Sequence, residues 1–422
     1  MASQDCAAAR VRRPGAGWIA LLLALASLTL FLVGIDQPRT PMFDETHYLP
    51  AARAILSHSG PVNLEHPLFA KTLIAAGIAL FGDNSLGWRI PSAVMGAVAV
   101  TAVYWIALSL YGSVRLAIAS ALLVLFNQTH FVQSRIAMLD VTMAAFLLLG
   151  LALLMQGHAG GRRSAVWSLL AGASLALAVG AKWIAIPYVA LFLAGDAIAG
   201  WRAVGWRLKH LAYEVLPRIS LAGLVSLLVY FTTFAPAFFY VSEPMTLARL
   251  VSFQFEMFAL QSQALAPHAY QSVWWQWPLM LRPIWYLFEE IEGNYRAVLM
   301  IGNPVIFWGG LPALLACAVG SMKTRRPVLL IGPGLYLFSL AIWIAIPKTI
   351  GFFYYYYLSG FFLCLTLVAA IDLFSGSRGR WALPAFVAAS AALFAYFYPV
   401  LSALPLPTDD SWNRWIWFES WR

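Results

Sequence analysis

Eleven apolar stretches recur along the chain, each roughly 17–22 residues long, which is the length needed to cross a hydrocarbon core about 30 Å thick. They fall near residues 18–35, 89–111, 115–131, 138–156, 165–180, 183–199, 217–239, 303–320, 328–346, 352–371 and 382–399. Runs this long and this apolar are read as membrane-crossing helices. Composition agrees: of 422 residues, 61% are hydrophobic and 11% are charged, whereas a soluble domain carries about 25% charged residues. Too little polar surface remains to cover a water-soluble globule of this size. The expected fold class is an all-α polytopic membrane protein forming a single domain over residues 1–422. The first stretch follows Arg10, Arg12 and Arg13 as a signal peptide would, but it is long enough to span. No A-x-A cleavage pattern closes it, so it is read as a retained helix.

The charges test this layout independently. With the N-terminus in the cytoplasm, alternate connections should be rich in Lys and Arg. The inner connections then hold fifteen basic residues against four acidic ones (Asp5, Asp196, Glu214 and Asp372), and the opposite face holds 12 basic and 14 acidic. The net charge of +9 thus divides as +11 inside and −2 outside. The basic balance reflects topology, and nucleic acid is excluded as a partner. Cys6, Cys317 and Cys364 are too scattered for a disulfide framework or a zinc site and read as small buried hydrophobes.

Two segments do not span, and both fall on the outer side. The first, residues 36–88, contains apolar runs too short or too broken to cross, Pro50–Leu56 and Leu68–Phe81, which suit amphipathic helices in the interface. The second, residues 240–302, is dense in Trp, Tyr, Pro and His, as chains at a membrane–water boundary are. The inner loops are too short for an ATPase or kinase module.

Candidate chemistry gathers on that outer side. The first loop opens PRTPMFDETHYLP, with Arg39 ahead of an adjacent Asp44–Glu45 pair. Carboxylates beside a bilayer are costly to desolvate and are seldom idle. Asp44 reads either as a cap on the helical stretch that follows, or as a general base with Glu45 assisting. Farther on come Glu65, His66, Lys71 and Arg89, a mixed-charge group where the chain re-enters the bilayer. Arg89 either snorkels to the headgroups or recognises phosphate. Arg135 and Asp140 read as an ion pair pinning two helices or as part of a substrate groove. Lys182 and Lys348, each at an outer turn, read as interface anchors or substrate ligands, and Lys348 is followed by four tyrosines including Tyr355. The second loop adds His268, Gln271 and Arg282. A divalent metal held by Glu65 and His268 across the two loops stays open; no zinc spacing, Walker loop, nucleophile elbow or dinucleotide fingerprint is present. The sequon Asn127-Gln128-Thr129 lies at a membrane edge and reads as incidental.

Taken in order, the DE pair, EHPLFAK, FGDNSLGWR, SRIAMLD, AKW and PHAYQSVWWQWPLMLRP resemble the protein O-mannosyltransferase family, from about Arg39 to the C-terminal SWNRWIWFESWR. More broadly, the chain resembles the lipid-carrier-dependent glycosyltransferases of the GT-C fold, with bacterial aminoarabinose transferases as more distant relatives. The resemblance implies a multi-pass enzyme of a bacterial-type plasma membrane. It implies transfer of a sugar, mannose in the family's name, from a polyprenyl-phosphate carrier, with inversion at the anomeric carbon. Carried over by motif, Asp44 becomes the base. Arg89 and Lys182, with Lys71, His66 and Arg282, become candidates for the donor phosphate. Arg39, Glu65, Arg135, Asp140, His268, Gln271, Lys348 and Tyr355 become candidates for the substrate groove. The family's usual HPPLGK reads His66-Pro67-Leu68-Phe69-Ala70-Lys71 here, and the second loop is too short for the β-trefoil domain of eukaryotic members. The acceptor, a Ser or Thr of an exported protein or else a lipid or surface glycan, is not chosen by the residues. A flippase is the alternative of another class, but the halves show no internal relation and the ionisable residues gather at one face.

Overall fold

A computed structural model describes residues 15–422 apart from 158–162, 265, 292, 347, 376–378 and 409. Arg10, Arg12, Arg13 and Cys6 therefore lie outside the described residues. The chain opens with α1 (Ala16–Leu32), α2 (Glu45–Ser57), α3 (Phe69–Phe81), α4 (Ser85–Tyr111), α5 (Val114–Leu125) and α6 (Gln128–Gln133). Next come α7 (Leu139–Gly157), α8 (Arg163–Ala181), α9 (Ala185–Ala203) and the short α10 (Leu208–His210), which runs through a π-helical turn into α11 (Leu216–Thr232). After α12 (Leu247–Gln261) and a hairpin of β1 (Ile284–Ile291) and β2 (Asn294–Met300), the chain ends in α13 (Pro304–Thr324), α14 (Ile331–Ala345), α15 (Tyr357–Ser375) and α16 (Gly379–Phe397).

Each of the eleven apolar stretches falls on a helix. Among the described residues, eight helical segments are long and apolar enough to cross a membrane. The other three stretches correspond to α1, to α9, which carries Asp196 and Arg202, and to α5. The expected span 115–131 is broken, because α5 stops at Leu125 and Asn127 starts a new helix by accepting from the Thr129 amide at 3.3 Å. A 12-residue helix rises only about 18 Å. The whole sequon Asn127–Thr129 is buried here.

The two helices expected in the first loop are present as α2 and α3. Helices α3 and α4 form a tight antiparallel pair: a Cβ at Gly77 would stand 2.3 Å from the Gly87 carbonyl. Asn84 caps α4 by accepting from the Leu86 and Gly87 amides, both at 3.1 Å. Arg53 on α2 grips Asp83 at 2.8 Å, and Asp83 also accepts from the Trp88 indole at 2.6 Å, so α2 is tied to the α3–α4 turn.

The second loop corrects the all-α expectation. β1 and β2 pair antiparallel with an irregularity between Trp285 and Leu287. Its Trp, Tyr and Phe side chains suit a strand as well as a membrane boundary. The C-terminal segment packs on this loop: the Trp421 indole donates to the Met280 carbonyl at 2.6 Å, and the Trp285 indole donates to the Trp421 carbonyl at 2.9 Å. Cys317 and Cys364 are free and buried, as expected.

Candidate active site

The two carboxylates of the DE pair have opposite surroundings. Glu45 is fully buried, and its carboxylate accepts four hydrogen bonds: from Arg89 Nε at 2.7 Å and Nη2 at 2.8 Å, the Met42 amide at 3.0 Å and the Ala137 amide at 2.9 Å. Asp44, the residue before α2, makes no side-chain cap bond; only its backbone carbonyl serves the helix, accepting from the His47 and Tyr48 amides. Its carboxylate, half-buried, accepts a single bond among the described residues, from the Tyr48 hydroxyl at 3.3 Å. The capping alternative for Asp44 is thereby removed, and Glu45 does the local tying instead.

Phe43 explains how the pair is split. It takes a left-handed backbone conformation (φ 50°), unusual for a bulky residue. Its ring is pinned on Tyr286, with centroids 4.0 Å apart and planes within 12°. This kink sends Glu45 into the core and leaves Asp44 half-buried. Burial pushes the Asp44 carboxyl above its ordinary range; nearby Lys182 pulls it back in part, and Asp140 pushes it up again.

Arg89 corrects an expectation. All five of its N–H groups are occupied: two by Glu45 and three by the carbonyls of Ile35, Pro38 and Thr40, and the side chain is fully buried. A guanidinium has five donors in all, so none is left for a donor phosphate. Arg135 is similar, donating to the carbonyls of Phe31 and Gly34 at 2.8 Å and to that of Val33. The expected Arg135–Asp140 pair does not form. Asp140 instead holds Lys182, with Nζ 2.9 and 2.8 Å from its two oxygens.

Lys182 stands 5.3 Å over the Tyr354 ring and lies at the polar end of a narrow cleft between α7, α9, α14 and α15. Tyr355 and Trp343, stacked 4.2 Å apart, also line it. Lys348 is exposed at the neighbouring turn, donating to the Gln261 carbonyl at 3.0 Å and near enough to Lys182 to have its own pKa lowered, after burial, by that charge.

The remaining candidates scatter. Lys71 is buried and donates to the Asn63 and His66 carbonyls, closing the loop that reads HPLFAK; burial takes its pKa down to about 7. His66 is held well below its ordinary value by burial and by Lys182, Lys71 and Lys348, so it carries no charge with which to bind phosphate. Arg282 is engaged by the backbone carbonyls of Ser420, Arg422 and Ala269, which makes it a clamp on the C-terminal segment. Gln271 accepts from the His268 amide at 3.2 Å, and His268 packs edge-on to Phe352. Glu65 accepts from Asn63 at 2.9 Å. No group of three His, Cys, Asp or Glu side chains able to hold a metal forms among the described residues. Arg39 is exposed at the exit from α1. Sequence reasoning missed Tyr48, Tyr286 and Trp343. Tyr48 was within reach of it, since a side chain four residues after Asp44 lies on the same helical face.

Comparison with known proteins bears on this arrangement. Residues 81–242 match the family model described as dolichyl-phosphate-mannose-protein mannosyltransferase, and residues 246–328 match the C-terminal four-transmembrane region of protein-O-mannosyltransferase. The chain belongs to the protein O-mannosyltransferase family. Among members of the family, the polyprenol-phosphate-mannose–protein mannosyltransferase of Mycolicibacterium smegmatis is 29% identical, over 96% of this chain and 93% of the relative. That of Mycobacterium tuberculosis is also 29% identical, over 96% and 92%. In fold, the chain superposes on the Saccharomyces cerevisiae Pmt1–Pmt2 complex bound to the sugar donor with a TM-score of 0.83 at 14% identity, covering 97% and 93% of the two chains. Apo ArnT from Cupriavidus metallidurans follows at 0.61 and 17%, covering 92% and 76%. Within this family member, Asp44 and Glu45 stand in different environments.

Proposed function

We propose that the chain transfers mannose from polyprenyl-phosphate-mannose to a Ser or Thr hydroxyl of an exported protein, at the outer face of a bacterial plasma membrane. In this reading the fold is of the GT-C type, with the eight long apolar helices crossing the membrane and a cytoplasmic N-terminus. Residues 36–88 and 240–302 then form the extracytoplasmic working surface. The observation that carries it is the half-buried Asp44 carboxylate, nearly unbonded and raised in pKa, beside a cleft whose polar end is a lysine.

The acceptor hydroxyl oxygen attacks the anomeric carbon while its proton passes to Asp44. The bond from that carbon to the phosphate oxygen breaks, and the electron pair leaves with the polyprenyl phosphate. A single displacement of this kind inverts the centre. The departing negative charge is met by Lys182, whose partner Asp140 keeps it ionised and oriented, and by exposed Lys348. The aromatic cleft beyond Lys182 suits the first isoprene units of an apolar tail. Arg89 and Glu45 do not touch substrate in this scheme; they are positioning residues that hold the exit from α1.

The test is turnover against donor binding. Asp44→Asn keeps the size of the side chain but removes the base, a loss expected at roughly 10²–10⁴-fold in kcat, while polyprenyl-phosphate-mannose still binds. Full transfer by Asp44→Asn would remove it as the base. Movement of the lipid-linked sugar across the membrane with no mannosylated product would favour a flippase.

A further inference from the structure

A second cleft lies apart from the Lys182 cleft, between the first-loop segment Pro61–Leu68 and residues from Ala237 to Phe253. Its walls are held in place without a ligand. The Val241 amide donates to the His58 carbonyl at 2.7 Å, and the Ser242 amide donates to the Ser59 carbonyl at 3.1 Å, a short strand-like seam between the two loops. The interior is mostly apolar, with Leu68, Met245 and Phe253 among its lining, and Arg249 stands at the rim beside Glu243 and Glu256.

Two residues of this lining carry a buried polar atom with no hydrogen-bond partner among the described residues: Asn63 Oδ1 and His66 Nδ1. The Asn63 amide nitrogen already donates to Glu65 at 2.9 Å, which fixes Oδ1 as the free acceptor. Buried polar atoms are nearly always paired, so two orphans in one cleft point to a ligand that supplies the partners. The cleft also connects to the site. The His66 ring meets the Tyr48 ring edge-on at 6.3 Å, and the Tyr48 hydroxyl is the one donor to Asp44.

A polypeptide offers what this cleft requires: an amide N–H for Asn63, a second backbone polar group for neutral His66, and an apolar side chain for the walls. An isoprenoid tail offers no polar partner at all. We propose that the cleft is an acceptor subsite, binding the backbone and one apolar side chain of a residue next to the modified Ser or Thr. This rests on the reading of the chain as a protein mannosyltransferase. It names where that acceptor's sequence is read, on the far side of Tyr48 from the donor cleft.

The experiment uses the full chain in nanodiscs, with polyprenyl-phosphate-mannose and short synthetic Ser/Thr peptides bearing an apolar neighbour. Ala237→Phe fills the cleft from a wall that touches neither Asp44 nor Lys182. Its KM for peptide should rise about tenfold or more, with donor KM and the kcat at saturating peptide retained, the pattern of lost uniform binding. A photoreactive p-benzoylphenylalanine at Val62, an exposed position on the cleft lining, should crosslink to the peptide and serves should Ala237→Phe fail to fold. A shift in donor KM with peptide KM unchanged would give the cleft to the mannosyl donor and overturn the proposal. So would unchanged kinetics with no peptide crosslink. If the wild-type protein mannosylates no peptide, the functional reading falls first and this inference with it; peptide transfer by the wild type with an indifferent cleft sinks the inference alone.

Discussion

Asp44 differs from the other carboxylates around it in having almost nothing bonded to it. Glu45 takes four hydrogen bonds, and Asp140 is held by Lys182, whereas Asp44 takes one weak bond from Tyr48. Its raised pKa follows from burial that no strong donor offsets. The proposed base works only when ionised, so activity is expected to be lost as pH falls through that raised value. The acid limb of kcat/KM should therefore lie above the usual carboxylate range, and it should vanish from the residual activity of Asp44→Asn. An acid limb that survives in the variant would assign the titration elsewhere. Glu45 makes the contrasting case. Glu45→Gln leaves the buried Arg89 guanidinium without a counter-charge, a change that costs roughly 3–5 kcal/mol when a buried pair is broken. Thermal unfolding in nanodiscs should show a large drop for Glu45→Gln and little for Asp44→Asn. Equal stability of the two variants would contradict the division of roles described here.

At the level of elements, α12 presents three faces. At 100° per residue, Leu250, Phe253 and Met257 share the inward side, with Phe253 and Met257 buried. Arg249, Ser252 and Glu256 share a second side. Leu247, Val251, Phe255 and Phe258 share a third and are 79%, 59%, 73% and 62% exposed. Val241, Phe239 and Leu224, Leu227 and Leu228 of α11 are exposed as well, and the stripe is expected to rest on lipid, with the charged side toward water. Nitroxide labels at positions 255 and 258 should relax with oxygen, and a label at 256 with a water-soluble nickel chelate. The reverse pattern, or spin–spin broadening between copies at 255, would place water or a second chain on the stripe. The helix also touches the site: Gln261 accepts from Lys348, and Gln254 is joined through Tyr230 to Trp183, next to Lys182.

Across the whole molecule, what was legible in the sequence is what depends on composition over a window. Apolar runs of about twenty residues have few alternatives to a helix in a membrane, and all eleven expected stretches fall on helices. The DE pair was legible too, because adjacent acids near a bilayer stand out. Partners were not. Arg89 and Glu45 are 44 positions apart in the chain, and Lys182 and Asp140 are 42 apart. A list of charges shows that each needs compensation without showing who supplies it, so Arg89 read as a phosphate ligand when it is saturated by the protein. The break at Asn127 and the β-hairpin were hidden for a different reason: a single side-chain cap and a cross-strand register both act below the resolution of a hydropathy window.

The backbone carbonyls between Phe31 and Thr40 that receive Arg89 and Arg135 carry a consequence for biogenesis. As the chain is made, α1 precedes both arginines: Arg89 comes 57 residues after its last residue and Arg135 comes 103 after it. Until both arrive, the stretch leading to Asp44 has no fixed course. The course of the chain into the proposed base is therefore one of the last features of the N-terminal half to form. A nascent chain released before Arg135 would contain the whole DE motif and still have no site.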